Sequence, residues 1–249
     1  MIRAALALAT LALLPAVAQA ADCRTEAFED VRYSICEVDM RSADLRVFLQ
    51  SPDGENLGSF SRVGTMLEAE GAALGFAMNA GMYHSDRRPV GLYVENGEQA
   101  AGLVEREGPG NFGLLPNGVF CIRDGRADVV ETRRFAAEAP QCRHATQSGP
   151  MLVIDGALHP RFLPESDSLY VRNGVGTSAD GRRAVFAISE APVNFHSFAR
   201  LFRDHLDLPQ ALYFDGNISR LYAPELNRSD IGFPMGPIVG TVRRPAPAE

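Results

Sequence analysis

Asn-Gly and Asp-Gly pairs recur along the chain, at 96–97, 124–125, 155–156, 180–181 and 215–216. Tight hairpin turns need positive φ, which glycine adopts freely and asparagine or aspartate tolerates. The pairs therefore predict short strands folded back on one another: 90–94 with 99–104, 119–123 with 127–131, and 169–175 with 183–189. A polar turn joins two further strands at 31–38 and 45–50, and apolar runs at 74–78 and 151–154 read as strands too. Helical spacing is confined to 66–73 and 194–206, where Phe195, Phe198, Leu201, Phe202 and Leu206 recur on one face. Many strands with few helices, and no repeat or linker, predict an α+β fold. It is a single domain over residues 21–242 on a mixed, largely antiparallel β-sheet, followed by a loose Pro/Ala-rich tail at 243–249.

Residues 1–20 read as a secretory signal peptide. Arg3 supplies the charged start, 4–17 is an apolar stretch rich in Ala and Leu, and Ala18-Gln19-Ala20 fits a small-x-small cleavage site. No later segment has the ~18 apolar residues that a membrane span needs. The expected location is the periplasm or the exterior of a bacterium.

Composition excludes several mechanisms. All 24 cationic side chains are arginine, and there is no lysine. P-loop phosphate binding, Schiff-base chemistry and Ser-x-x-Lys acyl-enzymes are thereby ruled out. A net charge of −7 with scattered arginines offers no nucleic-acid footprint. The four cysteines that follow the leader read as disulfides in an exported chain. Cys23–Cys36 and Cys121–Cys142 are favoured among the three pairings, because each pair brackets its own hairpin-like unit. A zinc site is the alternative, but no Cys-x-x-Cys or paired-histidine spacing supports it. No motif calls for a metal or a cofactor.

The segment 211–222 is the most informative for chemistry. A solid apolar run, Ala-Leu-Tyr-Phe, ends abruptly in Asp215-Gly216-Asn217 and then Ser219, with the 194–206 helix upstream. Strand ends that present polar groups from a rigid base are favoured places for sites. The same pair is also one Asp-Gly turn among several, and a hairpin reading stands beside the functional one. Other polar residues fall at strand ends: Asn79, Arg172 with Asn173, Glu190, and Ser148-Gly149. Each alone has a structural reading, as a turn former, a salt-bridge member or a solvated acid. Gly174-x-Gly176-x-x-Ala179 matches a dinucleotide fingerprint on paper, but it leads into a turn and a strand where a helix is needed.

Four segments in order resemble the phosphodiester glycosidase family. Asn79-Ala80-Gly81-Met82-Tyr83 resembles its Asn-Gly-Gly-Phe-Phe segment. Ser148-Gly149-Pro150-Met151-Leu152 through Gly156 resembles its Gly-Pro-x-Leu segment. Arg172-Asn173-Gly174-Val175-Gly176, followed by Asp180-Gly181, resembles its Arg-Thr-Ala-Ile-Gly segment. Phe214-Asp215-Gly216-Asn217-Ile218-Ser219 resembles its Leu-Asp-Gly-Gly-Gly-Ser segment. The likeness spans roughly 75–242 and suits a short bacterial exported branch. Asn217 and Ile218 stand where the pattern has glycine, and Asn173 where it has a small residue.

The resemblance implies an exported hydrolase that cleaves a sugar-1-phosphodiester related to a glycan or exopolysaccharide. The alternative is a non-catalytic envelope protein that binds or helps assemble glycan on the same scaffold. The expected machinery is Asp215 as the carboxylate at the anomeric carbon, Glu190 as its partner and Arg172 as a clamp on the phosphate. Asn79, Asn217 and Ser219 would hold sugar hydroxyls, while Gly81, Gly149 and Gly216 allow close backbone approach. Asn79, Arg172, Glu190 and Asp215 are expected to line one concave surface.

Overall fold

The computed structural model describes residues 21–244, so the segment read as a signal peptide and the end of the tail lie outside the described residues. In chain order the strands are β1 (Asp22–Phe28), β2 (Val31–Asp39), β3 (Asp44–Phe48), β4 (Ala73–Asn79), β5 (Tyr93–Glu95), β6 (Glu98–Ala101), β7 (Gly118–Arg123), β8 (Arg126–Glu131) and β9 (His144–Ser148). They continue with β10 (Met151–Ile154), β11 (Ala157–Leu158), β12 (Asn173–Thr177), β13 (Arg183–Ser189), β14 (Gln210–Asp215), β15 (Leu221–Ala223), β16 (Arg228–Ser229) and β17 (Ile238–Arg243). The helices are α1 (Phe60–Ala69), α2 (Thr132–Glu138) and α3 (Phe195–Arg200), and α3 runs on into a wider π-type turn over Leu201–His205.

The strands form three sheets in the orders β1-β2-β13-β12-β14-β10-β11, β16-β15-β4-β17-β3 and β6-β5-β9-β7-β8. Neighbours run antiparallel throughout, as in β12 with β13 and β14, and the architecture is the expected α+β domain. The sheets meet at an aromatic cluster. The Phe186 ring lies 4.8 Å from Phe76 and 5.7 Å from Phe120, which in turn contacts Phe214. Against the other face of the seven-stranded sheet, α3 and its π-type turn bury Phe198, Phe202 and Leu206. A strand covered on both faces has no solvent side to mark with polar residues. That is why β13 and β14 read as solid apolar runs.

The hairpin signals hold where two turn residues suffice. Asn96 and Gly97 have φ of 52° and 83°, and Asp155 and Gly156 have 49° and 82°. The β1–β2 hairpin turns on Glu29 and Asp30, both in the left-handed region, and a Glu-Asp pair carries no turn signal. Both disulfides have the favoured pairing, Cys23–Cys36 across β1 and β2, and Cys121–Cys142. Helix α1 starts six residues before the predicted 66–73 segment. Ser59 caps it by accepting from the Arg62 amide at 3.3 Å, and Phe60, Val63 and Leu67 form its buried face. β12 begins at Asn173, later than predicted, and upstream of it Tyr170 makes an isolated antiparallel bridge to Val193. At the tail, Arg243 closes β17 opposite Ala73. The glycines of the apparent dinucleotide motif lie inside β12, where a Cβ on Gly174 would sit 2.5 Å from the Leu212 carbonyl oxygen. Their role is close packing. Among the described residues no helix is long and apolar enough to cross a membrane.

Candidate active site

Asp215-Gly216 differs from the hairpin pairs in kind. Neither residue has positive φ, and the chain leaves β14 for β15, which belongs to another sheet. The turn therefore bridges two sheets and caps the gap between them. A bulge precedes it: Asn173 pairs with Asp215, whereas Gly174 pairs with Tyr213. The extra residue, Phe214, is buried in the core, while Tyr213 and Asp215 both line an open cleft of about 600 Å³.

The cleft walls are aromatic and apolar, with Tyr83, Phe112, Tyr170 and Tyr213 joined by Met82 and Ile218. Asn111, Ser168 and Asn217 add polar groups. Of the described residues that line it, Asp215 alone is charged. Its Oδ1 accepts from the Gly216 amide at 2.6 Å and the Asn217 amide at 2.9 Å. Burial raises the carboxyl pKa above the ordinary aspartate range, against the opposing pull of the Asn217, Gly216 and Ile218 amides. Aromatic faces beside a few convergent polar groups suit a pyranose ring, which has apolar C–H faces and a hydroxyl rim.

A buried amide layer supports the turn from behind. Asn173 and Asn79 form a reciprocal pair, with Asn173 Nδ2 donating to Asn79 Oδ1 at 2.9 Å and Asn79 Nδ2 donating back at 3.3 Å. Asn173 Oδ1 also accepts from the Asp215 amide at 3.1 Å, and Asn79 Oδ1 from the Arg220 amide at 2.9 Å. The Ser219 hydroxyl donates to the Asp215 carbonyl at 2.9 Å and approaches that of Val171 equally closely. Asn79 and Ser219, expected on sugar hydroxyls, are thus turned inward as anchors of the turn.

Arg172 lies behind the cleft, fully buried. Its Nε donates to the Val193 carbonyl at 2.7 Å and its Nη2 to that of Ser168 at 2.8 Å. The guanidinium carbon stands 3.7 Å from the centroid of Phe195 and 5.4 Å from those of Tyr170 and Tyr213. Glu190 is not brought to the cleft. Its Oε1 accepts from Ser34 Oγ and from Arg228 Nη1, both at 2.6 Å. Gly81 and Gly149 serve the protein's own packing. Gly81 has φ of +148°, and a Cβ on Gly149 would stand 2.6 Å from that of Asn117. Of the four residues expected on one surface, Asp215 lines it, Asn79 and Arg172 back it, and Glu190 lies apart.

Tyr213, Tyr170, Asn111 and Asn173 were not among the candidate site residues. Tyr213 had a signal in its place two residues before Asp215, and Asn173 in its departure from the family pattern. The 109–112 loop carries a turn pair, Pro109-Gly110, which marks a loop but carries no sign of a site. Among the described residues no group of three or more His, Cys, Asp or Glu side chains is placed to hold a metal ion.

Gly216 lies against Tyr213, and a Cβ there would stand 2.2 Å from the phenolic oxygen. Gly216→Ala is expected to lower the unfolding midpoint, since overpacking a fitted site costs about 1–3 kcal/mol. Adding Tyr213→Phe should restore most of it by deleting the clashing oxygen. Thermal unfolding of the two variants checks this, and an equal deficit in both would show that the clash is not with the hydroxyl.

Known proteins resemble the chain in sequence and in fold. The sequence profile described as phosphodiester glycosidase matches residues 73–236, a span that holds Asn79, Arg172, Asn173 and the Asp215 turn. The chain is 34% identical over 212 residues to the uncharacterized protein YigE of Escherichia coli (strain K12), covering 85% of this chain and 82% of YigE. A hypothetical protein from Synechocystis shares the fold at a TM-score of 0.60 and 11% identity, over 90% of this chain and 62% of that one. The catalytic domain of zebrafish N-acetylglucosamine-1-phosphodiester alpha-N-acetylglucosaminidase, solved auto-inhibited by its pro-peptide, superposes at a TM-score of 0.58 and 13% identity, over 89% of this chain and 81% of that one. With the profile covering most of the chain and a relative at this identity aligned over nearly all of it, the protein belongs to the phosphodiester glycosidase family.

Proposed function

We propose that this protein is an exported glycosidase that hydrolyses a sugar-1-phosphodiester, with Asp215 as the carboxylate at the anomeric carbon. The observation that carries the reading is the position of Asp215, the one charged group among the described residues that line an aromatic cleft, in a chain of this family. A phosphate leaving group is weakly basic, so its protonation is less demanding than in an ordinary glycoside. The demanding part is an oxocarbenium-like centre and a water to attack it. Ionised Asp215 stabilises the first electrostatically and takes a proton from the second. Arg172 supplies the positive charge behind the cleft. Export is supported by the leader pattern of residues 1–20 and by two disulfides, which persist in oxidising compartments.

The second reading, a glycan-binding protein without turnover, is favoured by one observation. Asn217 and Ile218 line the cleft at positions where the family pattern has glycine, which puts two side chains on its wall that the pattern lacks. A panel of aryl phosphodiesters of hexose-1-phosphates separates the two. Release of reducing sugar, followed by NMR, supports hydrolysis, and saturable binding without release supports the binding protein.

A further inference from the structure

The site holds one carboxylate where glycosidases commonly use two, and it has a cation behind it that makes no ion pair among the described residues. We infer that the Tyr213 hydroxyl, backed by the Arg172 guanidinium, receives the departing phosphate oxygen, so that the reaction proceeds with Asp215 as its single carboxylate. This rests on the hydrolytic reading above.

Breaking the bond from the anomeric carbon to oxygen sends its electron pair to the phosphate oxygen. Water forms the new bond at carbon and passes a proton to Asp215, which returns it to the phosphate or to solvent. The products are the free sugar and a phosphate monoester. Charge grows on the phosphate as the bond breaks, and the structure has to meet it. Glu190, the candidate partner acid, is held by Ser34 and Arg228 and does not line the cleft.

Three observations place that task on Tyr213. First, its hydroxyl lies directly against Gly216, the residue after Asp215, so phenol and carboxylate share one corner of the cleft. Second, Arg172 Nη1 is buried without a hydrogen-bond partner, although Nε and Nη2 are satisfied by main-chain carbonyls. A buried cation without a carboxylate is costly, and the aromatic faces of Phe195, Tyr170 and Tyr213 compensate it in part. Its remaining positive field acts through Tyr213, Tyr170 and Ser168, all of which line the cleft. Third, burial holds the Tyr213 hydroxyl well above the ordinary phenol range, with Arg172 and Asn111 pulling the other way, so the group keeps its proton and donates. Tyr213 would touch the leaving oxygen, and Arg172 would act through it as a positioning residue.

The test is Tyr213→Phe, which keeps the ring and removes one oxygen. Two probes are used: phenyl phosphate, which carries the leaving group without the sugar, measured by calorimetry, and a series of hexose-1-phosphate aryl diesters, measured by turnover. Loss of a hydrogen bond to a charged oxygen predicts a roughly 10- to 100-fold weaker phenyl phosphate complex and a comparable fall in kcat. The fall in kcat should be largest for the most basic leaving groups, with affinity for the free sugar and the unfolding midpoint unchanged. Phenyl phosphate affinity and kcat both within twofold of wild type would overturn the inference while leaving the hydrolytic reading intact. A kcat loss equal across all leaving groups would also overturn it, since that is the signature of a structural role. If the wild type turns over no diester but loses phenyl phosphate with the hydroxyl, the contact stands and the hydrolytic reading falls.

Discussion

Replacing Asp215 by Asn should reduce kcat by about 10³-fold, the middle of the range for removing a positioned general base, and should leave the fold intact. Asn keeps an Oδ1 to accept from the Gly216 and Asn217 amides, so the turn has the same tethers. What it lacks is the negative charge and the ability to take a proton. The same substitution should stabilise the protein at neutral pH. Burial raises the carboxyl pKa of folded Asp215 above its unfolded value. The stability linked to this group is therefore fully present below the unfolded pKa and is lost as pH rises through the folded one. At pH 7 the ionised carboxylate opposes folding, and Asn removes that cost. The Tm advantage of Asp215→Asn should shrink as pH falls toward the ordinary carboxylate range. Wild-type activity should run the opposite way, rising with pH through the raised pKa because the base must be ionised. Thermal unfolding and pH–rate profiles on both proteins check the two arms. Full turnover by Asp215→Asn would remove Asp215 from the chemistry, and a Tm advantage independent of pH would remove the linkage.

The sequence made much of this fold readable, for identifiable reasons. Asn96-Gly97 and Asp155-Gly156 form local turns that two residues can specify, and both behave as read. The solid run at 211–214 marks a strand buried on both faces, and it delivers Asp215 to a cleft. The direction of side chains was not readable. Asn79, Ser219 and Arg172 sit at strand ends, yet whether such a residue faces a ligand or its own backbone depends on which sheet packs across it. Asn79 is claimed by Asn173, 94 residues away. Glu190 is claimed by Arg228, 38 residues away, on β16 of a different sheet. Partnerships at such separations leave no periodic trace. The bulge that sets Asn173 opposite Asp215 is likewise a property of the pairing between β14 and β12.

The buried amide pair offers the largest expected effect on stability. Asn173→Ala would leave the partly buried Asp215 amide without its acceptor and the fully buried Asn79 side chain without its partner. Each unsatisfied buried group costs about 1–3 kcal/mol, so the variant should lose roughly 4 kcal/mol. Asn79→Ala strands the Arg220 amide and the Asn173 side chain, for a similar loss. The double variant should lose clearly less than the sum, with a coupling of about 2 kcal/mol, because neither amide is then left unpaired beside an empty place. The consequences for turnover should not couple in this way. Of the two amides, Asn173 is the one bonded to the Asp215 backbone, so Asn173→Ala and the double variant should share one kcat deficit, and Asn79→Ala should show a smaller one. Denaturant unfolding gives the first comparison and kinetics the second. Additive stabilities would mean that the two amides act separately. Equal kcat deficits in the two single variants would mean that the turn is held through Arg220 as firmly as through Asp215, which moves the anchor of the site from β12 to β4.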